Sequence, residues 1–380
     1  MRRRRNGLRV AMIGQYGVPA AYGGVERVVE ELGSALASNG AVVTVYCEKG
    51  SLPSERVYRG MQLRGAWSAR GKHLAKLSLA FAATIHSLFS RYDVVHFHAI
   101  GPCLFIPLIR LLRPDITVCS TIHSRDDKFA KWRGLTRQFF RVAAWCATRL
   151  PHAVMTVSIQ LQREMLRDFG VQATVVHNGI APVGQHGDAH ELIRWGLRPQ
   201  RYLLTVGRLV HEKATDDLLK AFVKTSCDWS LVIVGDSAHT DDFADQVRDL
   251  ARSDPRVILT GSVFGAPLDA IYRHAGAFVL ASRLEGLPVV LLEAIAYSLP
   301  VIVSDIPANL EIVEDSGPGH RVFPVGDTAA LSATIEHVVD NRIQEHAGAE
   351  MLHGRIAKEF SWSAAARITE KVYRSARMPQ

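Results

Sequence analysis

Short apolar runs alternate with helix-patterned segments along this chain, and no other feature restricts its fold as much. Leu8 to Gly14 (Leu-Arg-Val-Ala-Met-Ile-Gly) reads as a buried strand. Val25 to Ser38 follows with Val25, Val28, Val29, Leu32 and Leu36 on one helical face, and Val42 to Tyr46 is a second strand. Strand, helix and strand in that order close as a parallel pair through a crossover, and repetition of the unit predicts a doubly wound α/β sheet. Asp93 to His98, Ile116 to His123, Val154 to Ser158 and Ala173 to Val176 continue the series, until Ala181 to Asp188, rich in Pro, Gly and His, interrupts it. A second series opens with Tyr202 to Gly207 and a helix from Thr215 to Lys224. Its further strands are Leu231 to Asp236, Val257 to Gly261, Ala277 to Ser282 and Pro300 to Ser304. At 380 residues the chain exceeds what one ordinary core serves, so two domains are expected, residues 1–182 and 190–360, with a terminal helix over 361–380.

Composition narrows the class further. Five cysteines, Cys47, Cys103, Cys119, Cys146 and Cys227, are scattered and form no C-x-x-C pair, which argues against a disulfide framework or zinc site and fits a reducing cytoplasm. The apolar run behind Arg2 to Arg5 is too short for a signal peptide, and Ala99 to Leu112 is too interrupted to span a bilayer. Charge is uneven: residues 1–190 hold 25 Lys and Arg against 12 Asp and Glu, whereas residues 191–380 hold 20 against 25. The basic half calls for an acidic partner. No zinc-finger spacing, RNA-reader aromatic signature or helix-turn-helix accompanies it, so nucleic acid is not expected. An anionic membrane surface fits, with Arg2 to Arg5, Arg70, Lys72 and Lys76 against headgroups around a helix over 74–90. In that helix Leu74, Leu77, Phe81, Ile85 and Leu88 recur at three- and four-residue steps, which predicts a core-facing stripe.

The residues that carry chemistry fall at the ends of the strands. Gly23-Gly24 lies in the loop after the first strand, where parallel sheets bind ligands. His96 and His98 share one strand face by period two, but no carboxylate cluster joins them, so a metal is not expected. His123 ends the next strand, and Arg125 to Lys128 with Lys131 to Arg133 form a polar loop on the acceptor side. In the second half, Glu285-Gly286-Leu287-Pro288 leads into the apolar run ending at Glu293, with Pro288 as the first residue of a helix. Backbone N–H groups at such a helix start favour an anion. Flanking carboxylates suit a ligand that also carries hydroxyls, such as a sugar or a ribose.

Gly-x-x-Gly-Val-Pro-Ala-x-Tyr-Gly-Gly-Val-Glu near the start, Thr121-Ile122-His123, Asn178-Gly179-Ile180, Gly207-Arg208-x4-Lys213 and Glu285-x7-Glu293 appear in the order and spacing of one family. The chain resembles the retaining glycosyltransferases of family 4, near a bacterial polysaccharide and rhamnosyltransferase-like subgroup. The resemblance implies the GT-B fold, two Rossmann-like doubly wound domains facing across a cleft, with the terminal helix crossing back to the first domain. It further implies that Arg208 and Lys213 hold the donor diphosphate, that Glu285 meets the sugar hydroxyls and Glu293 the ribose, and that His123 lies beside the donor sugar. Gly23, Gly24, Gly207, Gly286, Leu287 and Pro288 would line the donor site, with Val263, between Ser262 and Phe264, beside the base. One departure is Ala214, where the family commonly has glycine after the lysine. No D-x-D metal pair is present, and no cofactor is expected. The implied donor is a nucleoside-diphosphate sugar and the implied acceptor a hydroxyl compound, often lipid-linked. A non-hydrolysing nucleotide-sugar epimerase of the same fold is the alternative.

Overall fold

The structure is a computed structural model, and it describes residues 7–20, 23–71, 74–128, 134–181, 183–184, 187–237 and 242–377. Arg2 to Arg5, Lys72 and Lys131 to Arg133 lie outside the described residues. The chain forms two compact units, Met1–Gly179 with Ser361–Gln380, and Ile180–Phe360.

The first unit runs β1 (Arg9–Ile13), α1 (Gly24–Ser38), β2 (Val42–Glu48), β3 (Val57–Tyr58), β4 (Met61–Ala66), α2 (Ala75–Leu88), β5 (Val94–His98), α3 (Ile106–Leu112), β6 (Thr117–Ile122), α4 (Gly134–Arg149), β7 (Ala153–Thr156), α5 (Ile159–Phe169) and β8 (Thr174–Val175). Its sheet has the order β3-β4-β2-β1-β5-β6-β7-β8, parallel except for β3. Register pairs Ala11 with Val95 and Val95 with Val118. With Ile13, Phe97 and Ile122 these side chains form one core with Leu79, Ala80, Ala83, Ile106, Ile109, Ala143 and Ala147 of α2, α3 and α4. Alternate residues point the other way, and His96 there meets Tyr373.

The stripe expected on α2 is only partly the one that meets the core. Leu79 is buried together with the small residues Ala80, Ala83, Thr84 and Ser87, while Leu74 and Phe81 are exposed and Leu77, Ile85 and Leu88 only half-buried. Burying Ala80 and Ala83 beside Leu79 lets α2 lie near the sheet, and Phe81 is left outward. The hairpin β3–β4 is an element the hydrophobic pattern did not reveal.

The second unit runs β9 (Tyr202–Val206), α6 (Thr215–Phe222), β10 (Ser230–Val234), α7 (Asp242–Ala251), β11 (Val257–Gly261), α8 (Ala266–Arg273), β12 (Ala277–Leu280), α9 (Val289–Ala296), β13 (Val301–Ser304), α10 (Pro307–Val313), β14 (His320–Phe323), α11 (Thr328–Asp340) and α12 (Arg342–Glu359). Its sheet is wholly parallel, in the order β11-β10-β9-β12-β13-β14. Leu203, Leu231, Ile233, Val279 and Ile302 pack under Leu218, Phe222, Phe243, Val247, Leu331 and Ile335. Each such side chain, fully buried, contributes roughly 1.5–3 kcal/mol. A terminal helix does follow, distinct from α12. The break falls at Phe360-Ser361, and α13 (Trp362–Arg377) belongs to the first unit, packed on α1, β6 and β7.

Candidate active site

In a parallel sheet the loops after neighbouring strands emerge side by side at the carboxyl edge. Strands β9 and β12 are neighbours, so the loop 207–214 and the loop 281–288 are brought together although they lie far apart in sequence. Gly207 follows β9 and is bound through its N–H to the Val234 carbonyl at 2.9 Å. Its own carbonyl is approached so closely by Gly235, at φ +132°, that a side chain there would collide with it. A single turn over His211–Lys213 then delivers Lys213, and Ala214 adopts φ +50° before α6 begins. The departure from glycine at 214 thus leaves the left-handed turn in place, at the steric cost that an L residue carries there.

Lys213 Nζ donates to Glu285 Oε1 at 2.6 Å, and Ser282 Oγ donates to the same oxygen at 2.7 Å. The two groups that sequence reasoning assigned separately, one to the diphosphate and one to the sugar, therefore form a partly buried ion pair with 21% and 12% of their side-chain surfaces exposed. Ser304 Oγ donates to the Ser282 carbonyl at 2.6 Å, and Asn309 Nδ2 donates to Ser304 Oγ and to its carbonyl. Arg283 stitches the loops together from outside: its N–H donates to the Glu212 carbonyl at 2.8 Å and its guanidinium bonds the His211 carbonyl and Asp217. Ser282, Arg283, Ser304 and Asn309 were not singled out from sequence, since nothing local marks them as supports of a charge pair.

Pro288 stands just before α9, with φ −72° and ψ 109°, rather than as its first helical residue. Its carbonyl accepts from Leu291 and Leu292, and Gly286, Leu287 and Pro288 are buried beneath the turn. Glu293, in the second turn of α9, accepts from the Tyr272 hydroxyl at 3.2 Å, and Tyr272 stacks on Tyr297 with ring centres 5.3 Å apart. Arg208 is exposed immediately after Gly207. Val263 is half-buried in the short loop after β11, between Gly261 and Gly265, both at positive φ.

In the first unit the carboxyl ends of β1, β5 and β6 carry their own polar cluster. His123 lies past β6, its Nε2 3.1 Å from His98 Nδ1 and the two rings stacked. Burial pushes His123 down to about 3, with the nearby Lys76 ammonium adding to the shift. His98 is also driven well below its ordinary value, first by burial and then by His96, His123 and Lys76. His96 is engaged at both nitrogens, 2.7 Å from the Tyr373 hydroxyl and 2.7 Å from Thr121 Oγ1, and burial lowers it to about 3. Among the described residues no group of three or more His, Cys, Asp or Glu converges as a metal site.

Gly23 and Gly24 lie at the start of α1, exposed. The glycine that close packing demands in this unit is instead Gly14, at φ +128°, where a side chain would strike the His98 carbonyl. Buried carboxylates of α1 fix the loop between them: Glu26 accepts from the Tyr16 N–H and from Lys76, and Glu30 from the Ala20 N–H at 2.7 Å. Arg125 does not line an acceptor surface as expected. It is 4% exposed and turned inward onto Asp127, Glu164 and Asp168, because three carboxylates around one guanidinium satisfy its donors better than water at a surface.

A family described as Glycosyltransferase Family 4 matches residues 22–182, and one described as Glycosyl transferases group 1 matches residues 200–341. An alpha-maltose-1-phosphate synthase of Mycobacterium tuberculosis is 30% identical over 97% of this chain and 99% of its own length. A glycogen synthase of the same organism is 28% identical over 98% and 97%. Among solved structures, sucrose-phosphate synthase from Thermosynechococcus elongatus superposes with a TM-score of 0.81 at 19% identity, covering 97% of this chain and 98% of that one. Anabaena HepE in complex with UDP-glucose gives 0.79 at 16% identity, covering 97% and 100%.

Proposed function

The chain is a glycosyltransferase of the family 4 and group 1 type with the GT-B fold, and from that premise we propose that it is a retaining enzyme of cell-surface polysaccharide or glycolipid synthesis. It takes a nucleoside-diphosphate sugar as donor and a hydroxyl compound as acceptor. As the bond between the anomeric carbon and the diphosphate breaks, negative charge grows on the leaving oxygen and positive charge on the ring. Lys213 and Arg208 stabilise the first, assisted by the N–H groups at the start of α9. The leaving phosphate accepts the acceptor's proton on the same face, so no protein base is required. Glu285 meets the sugar hydroxyls and Glu293 the ribose. His123 stands beside the sugar, and Gly23 and Gly24 open α1 toward the donor and acceptor. Val263 packs by the base.

The observation that carries this reading is the Lys213–Glu285 pair at 2.6 Å. An ammonium has three N–H donors. Glu285 uses one and aims the others, so a diphosphate meets a cation already in place, with no reorientation at the moment of reaction. Replacing Arg208 and Lys213 together by alanine is expected to lower turnover by at least about a hundredfold, the scale of a lost oxyanion contact. Glu293→Gln should chiefly raise the KM for the donor. Activity should persist in EDTA, since fixed cations take the charge. Full activity in the double variant, or activity lost in EDTA and restored by magnesium, would overturn the mechanism.

The acceptor is proposed to be lipid-linked. Its approach is placed at the bilayer surface, and among the described residues no helix is long and apolar enough to cross a membrane.

A further inference from the structure

Helices α2, α3 and α4 pack alongside one another on one face of the first sheet, joined through the turn Gly101–Phe105. Their outward sides combine large apolar groups with cations. Phe89, at the end of α2, is 86% exposed, Leu111 of α3 79% and Trp145 of α4 52%, and Leu74, Phe81, Leu112 and Val142 are exposed beside them. On α4, Arg137, Arg141, Trp145 and Arg149 recur every four residues and are all exposed, which sets them in one row along the helix. The three helices hold five cations, Lys76, Arg110, Arg137, Arg141 and Arg149, and no Asp or Glu. Lys76 is turned to Glu26 at 3.4 Å, which leaves the four exposed arginines.

We propose that this face is a docking surface for an anionic lipid bilayer, its arginines at the headgroups and Phe89, Leu111, Leu112 and Trp145 at the boundary with the acyl chains. A second copy of the same face would set arginines against arginines with no carboxylate to offset them. A polyanion such as nucleic acid would use the cations and leave the leucines and Phe89 in water. A bilayer interface takes both, since it offers anionic phosphates above an apolar layer, and long basic side chains reach one while tryptophan and phenylalanine enter the other. This deepens the proposed function by naming how a lipid-linked acceptor is approached, and it rests on that reading. It also moves the contact away from Lys76, which the sequence had offered and Glu26 holds.

The test is sedimentation of the full chain with vesicles of phosphatidylcholine alone or mixed with phosphatidylglycerol. Binding to the mixed vesicles is expected, weakened in 0.5 M salt, where the screening length falls to roughly 4 Å. R137E with R141E should lower partition at least tenfold. F89S with L111S should lower it comparably while leaving the salt dependence of the remainder. Circular dichroism establishes that the variants are folded. No binding to anionic vesicles, equal binding to neutral ones, or variants that bind as the parent does would overturn the proposal. So would loss of binding on deleting residues 1–5 alone. Self-association without lipid, abolished by the same variants, would assign the face to a second copy instead. No outcome depends on turnover: transfer without vesicle binding removes the surface and spares the enzyme, and vesicle binding without transfer does the reverse.

Discussion

The buried imidazole of His98 and the half-buried one of His123 share one hydrogen bond, and a proton count assigns its direction. His98 Nδ1 and His123 Nε2 are 3.1 Å apart, and both rings are held neutral by burial. The remaining nitrogen of His98, Nε2, is buried with no partner. A dry lone pair is tolerated more readily than a dry N–H, so His98 carries its proton on Nδ1 and donates. His123 then accepts through Nε2 and keeps its own proton on Nδ1. Nitrogen-15 shifts of the histidine rings should show His123 protonated at Nδ1, and H98F should free it to the other tautomer. If His123 meets the sugar, turnover should fall about tenfold, corresponding to ~1.4 kcal/mol. A wild-type His123 carrying its proton on Nε2 would refute the assignment. The same burial sets a pH window. His96, His98 and His123 stay neutral in the native chain, whereas unfolding returns them to an ordinary value of 6.5. Below pH 6.5 the unfolded chain binds more protons, so stability is fully present above that pH. It is lost as pH falls toward 3, at up to about 1.4 kcal/mol per pH unit for each ring. The urea midpoint of the first unit should therefore drop between pH 7.5 and 5.5, and an unchanged midpoint would mean that water reaches these rings.

At the scale of elements, what the sequence displayed depended on whether the determinant was local. Strands β1, β10, β12 and β13 are short, largely apolar runs buried on both faces, and such runs are readable directly. The hairpin β3–β4 was not, because its turn is Arg59-Gly60 rather than Asn-Gly. Both residues adopt positive φ, 45° and 80°, as a tight hairpin of this hand requires, and arginine is an unusual choice there. The compensation lies elsewhere in the chain: Arg59 bonds both oxygens of Glu31, at 2.8 Å each, and Glu30 at 3.2 Å. This yields a paired test. R59A loses the ion pairs and keeps the strained backbone, whereas R59G loses the same pairs and relieves it. Glycine should therefore be the less destabilising by about 1 kcal/mol in urea unfolding, and equal midpoints would show that Arg59 carries no strain. The stripe of α2 was misread in part, for a related reason. Spacing shows that a helix has an apolar side, but which side meets the sheet depended on Ala80 and Ala83, whose small size only the packed neighbours make meaningful.

For the whole molecule, the same distinction separates the motifs from the machinery. Gly207-Arg208-x4-Lys213 and Glu285-x7-Glu293 were visible as residue types at fixed spacing, while the Lys213–Glu285 bond was not, since it depends on β9 and β12 being neighbours in the sheet. The end of the chain is the extreme case. Helix α13 follows the second unit in sequence and belongs to the first, burying Trp362, Ala365, Ala366, Thr369 and Tyr373. Tyr373 is fully buried and its hydroxyl meets His96, so the helix closes one face of the first sheet and supplies a partner to a buried imidazole. Removing a buried aromatic side chain of that size costs roughly 3–5 kcal/mol, already much of the 5–15 kcal/mol that holds a domain folded. A chain ending at Phe360 loses that contact together with Trp362 and the alanine face, and leaves β6 and β7 uncovered. Calorimetry of the truncated chain should show the transition of the first unit abolished or moved far down, with that of the second unit, which has its own sheet and core, retained. Y373F provides the graded control, removing the hydroxyl while keeping the ring, and should lower only the first transition. Two unshifted transitions in the truncated chain would mean that the first unit folds without its last helix, and the stability assigned to α13 would have to come from α1 and the remaining core instead.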